Sequence, residues 1–223
     1  STSTGGAQDA SEVEVVTGRA DTANRMTVPV QIGENGPYSF LIDTGSQKTV
    51  LSNELATQLS LSPIEKRRIV GVAGTDMADT AVLDELGLGR RSFYGLTVLL
   101  FQSHDIGADG IVGIDGLQDQ RVLLDFAHNR MAIGDAKTLG GNSGYEIIVT
   151  ARRRSGQLIM TNADIDGVHT DVVIDTGSDT SIGNRALQQA LGQRGVLGQA
   201  VLTSVTGQQV TAAMGYARKL EVG

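Results

Sequence analysis

The chain has 223 residues, of which 40% are hydrophobic and 19% charged, and its formal net charge is −7 at pH 7. The lack of cysteine excludes disulfide bonds, thiolate metal sites and a cysteine nucleophile. The acidic balance argues against nucleic acid as a partner, and the lack of an apolar run of about 18 residues argues against a transmembrane helix.

Short apolar runs separated by polar turns predict a chain built mostly of β-strands. Residues 1–12 are small and polar, which predicts a disordered arm. Residues 52–61 carry leucines near helical spacing, so we expect a short helix with Ser52 as its N-cap. Residues 67–83 place two apolar runs around a glycine-rich tip, which predicts a hairpin. Further strands are predicted at 13–16, 26–33, 38–43, 94–101 and 109–117, and a further hairpin is predicted at 121–133 with His128 and Asn129 at its turn.

A polar, glycine-rich stretch at 134–144 is predicted to be a linker between two units, 13–133 and 145–223. The second unit repeats the order of predicted elements found in the first. Strand-like runs are followed by a helical run at 184–192 and by a second glycine-tipped hairpin at 201–214. This order predicts an internal repeat of a long unit.

One motif occurs in both units. Residues 42–46 and residues 174–178 both spell Ile-Asp-Thr-Gly-Ser, each after an apolar run. A single Asp-x-Gly is a common turn, but turn formation alone does not explain two copies at matched positions of a repeat. The motif therefore points to chemistry that needs two carboxyl groups.

Two such loops, meeting across a pseudo-two-fold axis, would bring Asp43 and Asp175 within hydrogen-bonding distance. Both carboxyls cannot ionise freely there, so one proton is shared between them. The ionised carboxyl can take a proton from a water that attacks a carbonyl carbon, and the protonated one can donate to the developing oxyanion. The pattern thus predicts hydrolysis by a carboxyl pair.

With these motifs, the chain resembles the aspartic proteases of the retropepsin and pepsin class, and in particular bacterial single-chain retropepsin-like proteins. The resemblance covers most of residues 26–133 and, as a partial second copy, residues 158–223. It implies a mostly β acid-protease fold with two pseudo-symmetric repeats, glycine-tipped flap hairpins and short helices. It also implies a protein or peptide substrate and no cofactor or metal.

The resemblance assigns roles to the residues that match its motifs. Asp43 and Asp175 match the catalytic pair. The residues that support the two loops are Thr44, Gly45 and Ser46 in the first repeat and Thr176, Gly177 and Ser178 in the second. The threonines are expected to bond across the interface and the glycines to let the backbone approach the carboxyls. The serine hydroxyls are expected to bond to the carboxylates and lower their pKa values.

The hairpin tips match flaps that close over an extended peptide. Their residues are Val72, Ala73 and Gly74 in the first repeat and Val205, Thr206 and Gly207 in the second. The apolar segment 111–113 matches a strand that crosses beneath the catalytic loop. Asp109 and Asp115, which flank that segment, are predicted to be turn residues, with Asp109 also considered as part of the groove wall.

The second repeat is shorter than the first, since Gly223 aligns with Gly89. The counterpart of 90–133 is therefore expected from a missing C-terminal segment or from the partner in a homodimer. The function that these observations favour is that of an aspartic endopeptidase, a hydrolase of peptide bonds. The alternative is a non-catalytic or immature peptide-binding or assembly module that retains the fold.

Other site chemistries are less well supported. His104, His128 and His169 are scattered without metal-ligand spacing. No Gly-x-Ser-x-Gly surrounds Ser46 or Ser178, which argues against a serine nucleophile. A glycosidase also uses two carboxyls, but it does not require twinned Asp-Thr-Gly loops. The polar arm favours a periplasmic or otherwise exported location, with the cytoplasm as the alternative.

Overall fold

The computed structural model describes residues 14–20, 25–117, 120–125, 128–135, 152–154, 157–178, 180–192 and 196–222. The predicted arm and most of the predicted linker lie outside these ranges. No helix within them is long and apolar enough to cross a membrane.

Strands dominate the described chain, as predicted. In the first repeat they are β1 (Glu14–Thr17), β2 (Arg19–Ala20), β3 (Met26–Ile32), β4 (Asn35–Ile42), β5 (Val50–Ser52), β6 (Glu65–Gly71), β7 (Gly74–Leu88), β8 (Arg91–Phe101), β9 (Gly110–Val112), β10 (Gln120–Asp125) and β11 (Arg130–Asp135). In the second they are β12 (Arg152–Arg154), β13 (Gln157–Ile165), β14 (Val168–Val173), β15 (Val196–Thr203), β16 (Gln209–Gly215) and β17 (Leu220–Val222).

The helices are short. They are α1 (Asn53–Gln58), α2 (Ser103–Ile106), α3 (Arg185–Leu191) and a 3-10 helix at Ile114–Leu117. The side chain of Ser52 accepts a hydrogen bond from Leu55 N at 3.1 Å, so Ser52 is the N-cap that the sequence predicts. The helix ends earlier than predicted because Ser60 adopts a left-handed backbone conformation with φ 57°.

One eight-stranded sheet forms most of the first repeat, in the order β2-β3-β4-β9-β5-β8-β7-β6. Apolar and polar residues alternate along β3, and its buried side chains face the core. Strand β9 lies between β4, to which it is parallel, and β5, to which it is antiparallel. This arrangement places the end of β4, just before Asp43, directly beside Val112.

The main hydrophobic core lies in the first repeat. Its largest fully buried side chains are Phe40, Met26, Leu41, Ile42, Leu51, Leu83, Leu86, Leu88, Ile106, Met131, Ile133 and Val28. These residues both precede and follow the first Asp-Thr-Gly-Ser loop in the sequence. The chain therefore enters and leaves this loop through packed segments. Such packing limits the positions that the loop can adopt.

The second repeat reproduces part of this pattern. Strands β13 and β14 form a hairpin with β17 on the other side of β13, as β7 lies beside β3 in the first repeat. Strands β15 and β16 form the second predicted hairpin. Matched positions of the two repeats differ in burial. Val50 and Ile182 each lie seven residues after the aspartate of their loop, but Val50 is 2% exposed whereas Ile182 is 50% exposed. Helix α3 has no buried residue, although Asn184 caps it as Ser52 caps α1.

Candidate active site

Both Asp-Thr-Gly-Ser loops begin where a strand of a β-hairpin ends. Asp43 follows β4, and its N–H donates to the carbonyl of Val112 at 3.1 Å. Asp175 lies two residues after the end of β14. The chain folds so that these two loops touch each other, although they are far apart in the sequence.

The two threonines join the loops by reciprocal hydrogen bonds. Thr44 Oγ1 donates to Ile174 O at 2.6 Å, and Thr176 Oγ1 donates to Ile42 O at 2.6 Å. Each hydroxyl also accepts a bond from the other threonine's N–H, at 3.2 and 3.3 Å. Four bonds thus cross the interface between the repeats through two side chains, which fixes the separation of the loops.

Backbone N–H groups within each loop point at its carboxyl. Asp43 Oδ1 accepts from Gly45 N at 2.8 Å and from Ser46 N at 3.0 Å. Asp175 Oδ1 accepts from Gly177 N at 2.9 Å. Asp43 is half-buried whereas Asp175 is exposed. The pair is therefore not symmetric in its surroundings.

The two carboxyls interact directly. Burial, repulsion by the charge of Asp175 and a hydrogen bond between the two side chains raise the pKa of Asp43 to about 7. The N–H groups of Gly45 and Ser46 act in the opposite direction, since they stabilise the carboxylate. The net result is that a proton is retained on the pair at a pH where an isolated aspartate has lost its own.

The two glycines leave the space in which the opposite carboxyl lies. A Cβ added at Gly45 would lie 2.5 Å from Asp175 Cγ, and one added at Gly177 would lie 2.5 Å from Asp43 Cγ. Carbon atoms that are not bonded do not approach so closely. Glycine at these positions is thus needed for the carboxyls to face each other.

The expected role of the serine hydroxyls is wrong. Ser46 Oγ donates to Lys48 O at 2.7 Å, and Ser178 Oγ donates to Thr180 O at 2.7 Å. A hydroxyl has one proton, and here the turn directs it to a backbone carbonyl two residues on. The bond that stabilises the Asp43 carboxylate comes instead from the N–H of Ser46.

The segment 111–113 runs beneath the first loop, as the resemblance implies. Its Gly113 lies so close to the loop that an added Cβ would be 2.5 Å from Lys48 O. The next residue, Ile114, donates its N–H to Ser46 O at 2.9 Å. The loop that carries Asp43 is therefore held by hydrogen bonds from below.

Both hairpin tips lie where the sequence predicts. Val72 and Ala73 connect β6 to β7, and residues 204–208 connect β15 to β16. The two hairpins touch, because Gln208 Nε2 donates to Asp76 Oδ2 at 3.0 Å.

A cavity of about 170 Å³ lies at this contact between the two hairpins. Its lining residues are Asn53, Asp76, Met77, Leu100, Phe101, Gln102, Asp105, Val205 and Thr206. The contact between Gln208 and Asp76 has no sequence signal, because it depends on how the two hairpins are placed. The carboxyl of Asp109 accepts a hydrogen bond from Ser39 N at 2.8 Å, which joins the segment before β9 to β4.

No group of three or more histidine, aspartate or glutamate side chains that could hold a metal is found in the part of the chain that the structure describes. The paired carboxyls Asp43 and Asp175 are distinguished by the raised pKa of Asp43. A pair of carboxyls that shares a proton can act as acid and base at the same time.

Comparison with known proteins bears on this site. Residues 28–116 match the family model described as "Aspartyl protease". Over this segment, the chain matches the aspartyl proteases. The matched stretch includes the first Asp-Thr-Gly-Ser loop, the hairpin of β6 and β7, and the segment beneath the loop.

The crystal structure of a retropepsin-like aspartic protease from Rickettsia conorii is 16% identical, with a TM-score of 0.41. The alignment covers 55% of this chain and 91% of that protease. The comparison with curated proteins gave no match.

Proposed function

We propose that the protein is an aspartic endopeptidase whose active site is the pair Asp43 and Asp175. The observation that carries this proposal is the placement of each carboxyl against the glycine of the opposite loop, in two loops that the threonine hydrogen bonds join. Burial there and the neighbouring charge of Asp175 raise the pKa of Asp43 to about 7. The match of residues 28–116 to the aspartyl proteases supports the proposal. Perturbed titratable pairs of this kind are typical of catalytic sites.

In this mechanism, Asp43 holds the shared proton and Asp175 is the ionised member. The half-buried site of Asp43 and its raised pKa favour the neutral form of this carboxyl. A water between the carboxyls gives a proton to Asp175 as its oxygen attacks the peptide carbonyl carbon. Asp43 donates to the carbonyl oxygen, and a gem-diol results.

Collapse of the gem-diol breaks the C–N bond. The proton that Asp175 received passes to the leaving nitrogen, and Asp43 recovers its proton from the diol. The products are a carboxylic acid and an amine, and the pair returns to its singly protonated state. The threonine bonds between the loops keep the two carboxyls at the distance that this exchange needs.

The substrate is an extended peptide segment. The tips of the two hairpins, at Val72–Gly74 and Val205–Gly207, approach each other closely enough for Gln208 to bond to Asp76. A peptide between the hairpins and the loops would add main-chain hydrogen bonds as a strand does, with alternate side chains in pockets. Such binding requires an unfolded stretch of substrate.

The experiment is to incubate the protein with a reduced, unfolded protein substrate from about pH 3 to pH 8. New termini are identified by mass spectrometry, with and without a statine-type inhibitor. We expect inhibitor-sensitive cleavage at internal bonds, with a bell-shaped profile whose alkaline limb lies near the raised pKa of Asp43. Peptide binding without cleavage at every pH would support the non-catalytic module instead.

A further inference from the structure

Asp115 is a buried carboxyl outside the catalytic pair. It lies in the 3-10 helix that follows Gly113, and 7% of its side chain is exposed. Its Oδ1 accepts hydrogen bonds from Thr49 N at 2.8 Å, Thr49 Oγ1 at 2.8 Å and Gly116 N at 2.9 Å. Two of these three bonds reach across to the chain that leaves the first catalytic loop.

The second oxygen of Asp115 has a different environment. Asp115 Oδ2 is buried and has no hydrogen-bond partner among the described residues. The Nζ of Lys48 lies 3.5 Å from it, which is an ion-pair distance. The positive charge of Lys48, a residue that follows the first loop, thus compensates the negative charge of the buried Asp115 carboxylate.

A short series of hydrogen bonds connects Asp115 to Asp43. The carboxyl of Asp115 fixes Thr49 and, through the ion pair, Lys48. The carbonyl of Lys48 accepts from Ser46 Oγ at 2.7 Å. The N–H of Ser46 donates to Asp43 Oδ1 at 3.0 Å. A shift of residues 48–49 would therefore move the donor that faces Asp43.

The second loop offers a comparison within the same molecule. Ser178 Oγ bonds to Thr180 O as Ser46 Oγ bonds to Lys48 O. The described hydrogen bonds of that loop include Gly177 N to Asp175 but none from Ser178 N to that carboxyl. Among the residues that the structure describes, no carboxylate bonds to the second loop from below in the way that Asp115 bonds to the chain leaving the first loop.

We propose that Asp115 is a positioning residue that keeps the N–H of Ser46 on the carboxyl of Asp43. This inference rests on the proposed function, since it concerns the same catalytic loop. The groups that face Asp43 are Asp175, whose charge opposes ionisation, and the N–H groups of Gly45 and Ser46, which favour it. Loss of the Ser46 contact removes one of the two favourable groups.

The test compares Asp115→Ala, Asp115→Asn and the control Asp109→Ala. Asparagine keeps an oxygen that can accept from Thr49, whereas alanine does not. Asp109 is a suitable control because its carboxyl also accepts a backbone N–H, from Ser39 at 2.8 Å, whereas none of its hydrogen bonds in the described part of the chain reaches the catalytic loop. The readouts are the titration of the Asp43 carboxyl by ¹³C NMR and the pH dependence of kcat and KM.

We expect Asp115→Ala to raise the midpoint of Asp43 by about half a pH unit or more. We expect kcat to fall by about tenfold or more, because a misplaced loop is costly in catalysis, while KM changes by less than about twofold. Asp115→Asn keeps the acceptor for Thr49 but loses the ion pair with Lys48, so it should shift the midpoint and kcat less than Asp115→Ala does. Asp109→Ala should keep the wild-type midpoint and kcat.

Three results would overturn the proposal. One is a wild-type Asp43 midpoint in folded Asp115→Ala. The others are an effect of Asp115→Asn as large as that of Asp115→Ala, and the same midpoint shift in Asp109→Ala. If Asp115→Ala does not fold, Thr49→Val serves instead, since it removes the Oγ1 donor, and it should raise the midpoint by a smaller amount. The NMR midpoint decides these cases even if the wild-type protein cleaves nothing, an outcome that would count against the proposed function alone.

Discussion

Gly177 lies against the carboxyl of Asp43 so closely that a Cβ at residue 177 would be 2.5 Å from Asp43 Cγ. The same relationship links Gly45 to Asp175. Each repeat thus provides the space for the carboxyl of the other. The close approach of the two carboxyls therefore requires the glycine of each repeat.

This relationship predicts the effect of adding one methyl group. Gly45→Ala or Gly177→Ala should push the carboxyls apart and lower kcat/KM by about 100-fold or more, because catalysis is sensitive to displacements of about 1 Å. The measurement is peptide cleavage at the pH optimum. Gly71→Ala is the control for folding, since nothing lies within 4 Å of a Cβ there. Full activity of Gly45→Ala would show that the observed approach is not needed.

The shared proton predicts a pH-dependent gain of stability in Asp43→Asn. The raised pKa means that the folded protein holds this proton more tightly than the unfolded chain does. The contribution of Asp43 to stability is thus complete below about pH 4 and is lost as the pH rises towards about 7. Asparagine can keep the bonds from Gly45 and Ser46 and has no charge to lose.

The measurement is urea unfolding of wild type and Asp43→Asn at about pH 4 and pH 7. A shift from 3.8 to about 7 corresponds to roughly 4 kcal/mol at about 1.4 kcal/mol per unit. Solvent around the half-buried side chain reduces this figure, so we expect the variant to gain about 1–2 kcal/mol relative to wild type between the two pH values. A relative loss with rising pH would contradict the sign of the shift.

The hydrogen bonds of the threonines predict a loss of stability on removal of a hydroxyl. Thr44→Val leaves the carbonyl of Ile174 and the N–H of Thr176 without their partners. We expect a loss of about 1–3 kcal/mol in the free energy of unfolding. Thr57→Val is a matched control, because Thr57 Oγ1 bonds to Asn53 O on the exposed face of α1. Equal effects of the two substitutions would argue against a special role for the interface bonds.

The contact between the hairpins predicts a specific cross-link. The chain has no cysteine, so Asp76→Cys with Gln208→Cys introduces the one available pair. A short bifunctional thiol reagent should join the hairpins and block peptide entry. Gln208→Cys alone, treated with the same reagent, is the control and should remain active. Cross-linking that leaves cleavage unchanged would show that the hairpins need not separate.

Features that depend on local spacing were predictable from the sequence. The Asp-Thr-Gly-Ser loops, the cap at Ser52 and both hairpins follow from residue types at fixed offsets, and the structure has them. The location of the protein, the limits of its domains and the catalytic roles stay predictions. The approach of Asp43 and Asp175 is the one that the repeated motif predicts, and the threonine hydrogen bonds join the two loops that carry them.

Features that depend on the path of the backbone were not predictable. The serine hydroxyls were assigned to the carboxylates, but the turn directs the one at Ser46 to Lys48 O. Asp115 has the sequence signature of a turn residue, yet it bonds to Thr49, which is distant in the sequence. Its partner is set by the passage of β9 beneath the loop, and no local pattern encodes that crossing.

The central claim is that one active site is made from both repeats. Its most direct test is cleavage of a peptide by Asp43→Asn and Asp175→Asn, each purified and shown to be folded. Because the water needs one ionised and one protonated carboxyl at once, and asparagine supplies neither a base nor a transferable acid proton, each substitution alone should abolish cleavage. Loss of activity in Asp43→Asn with full activity in Asp175→Asn would contradict the claim, as would full activity in both.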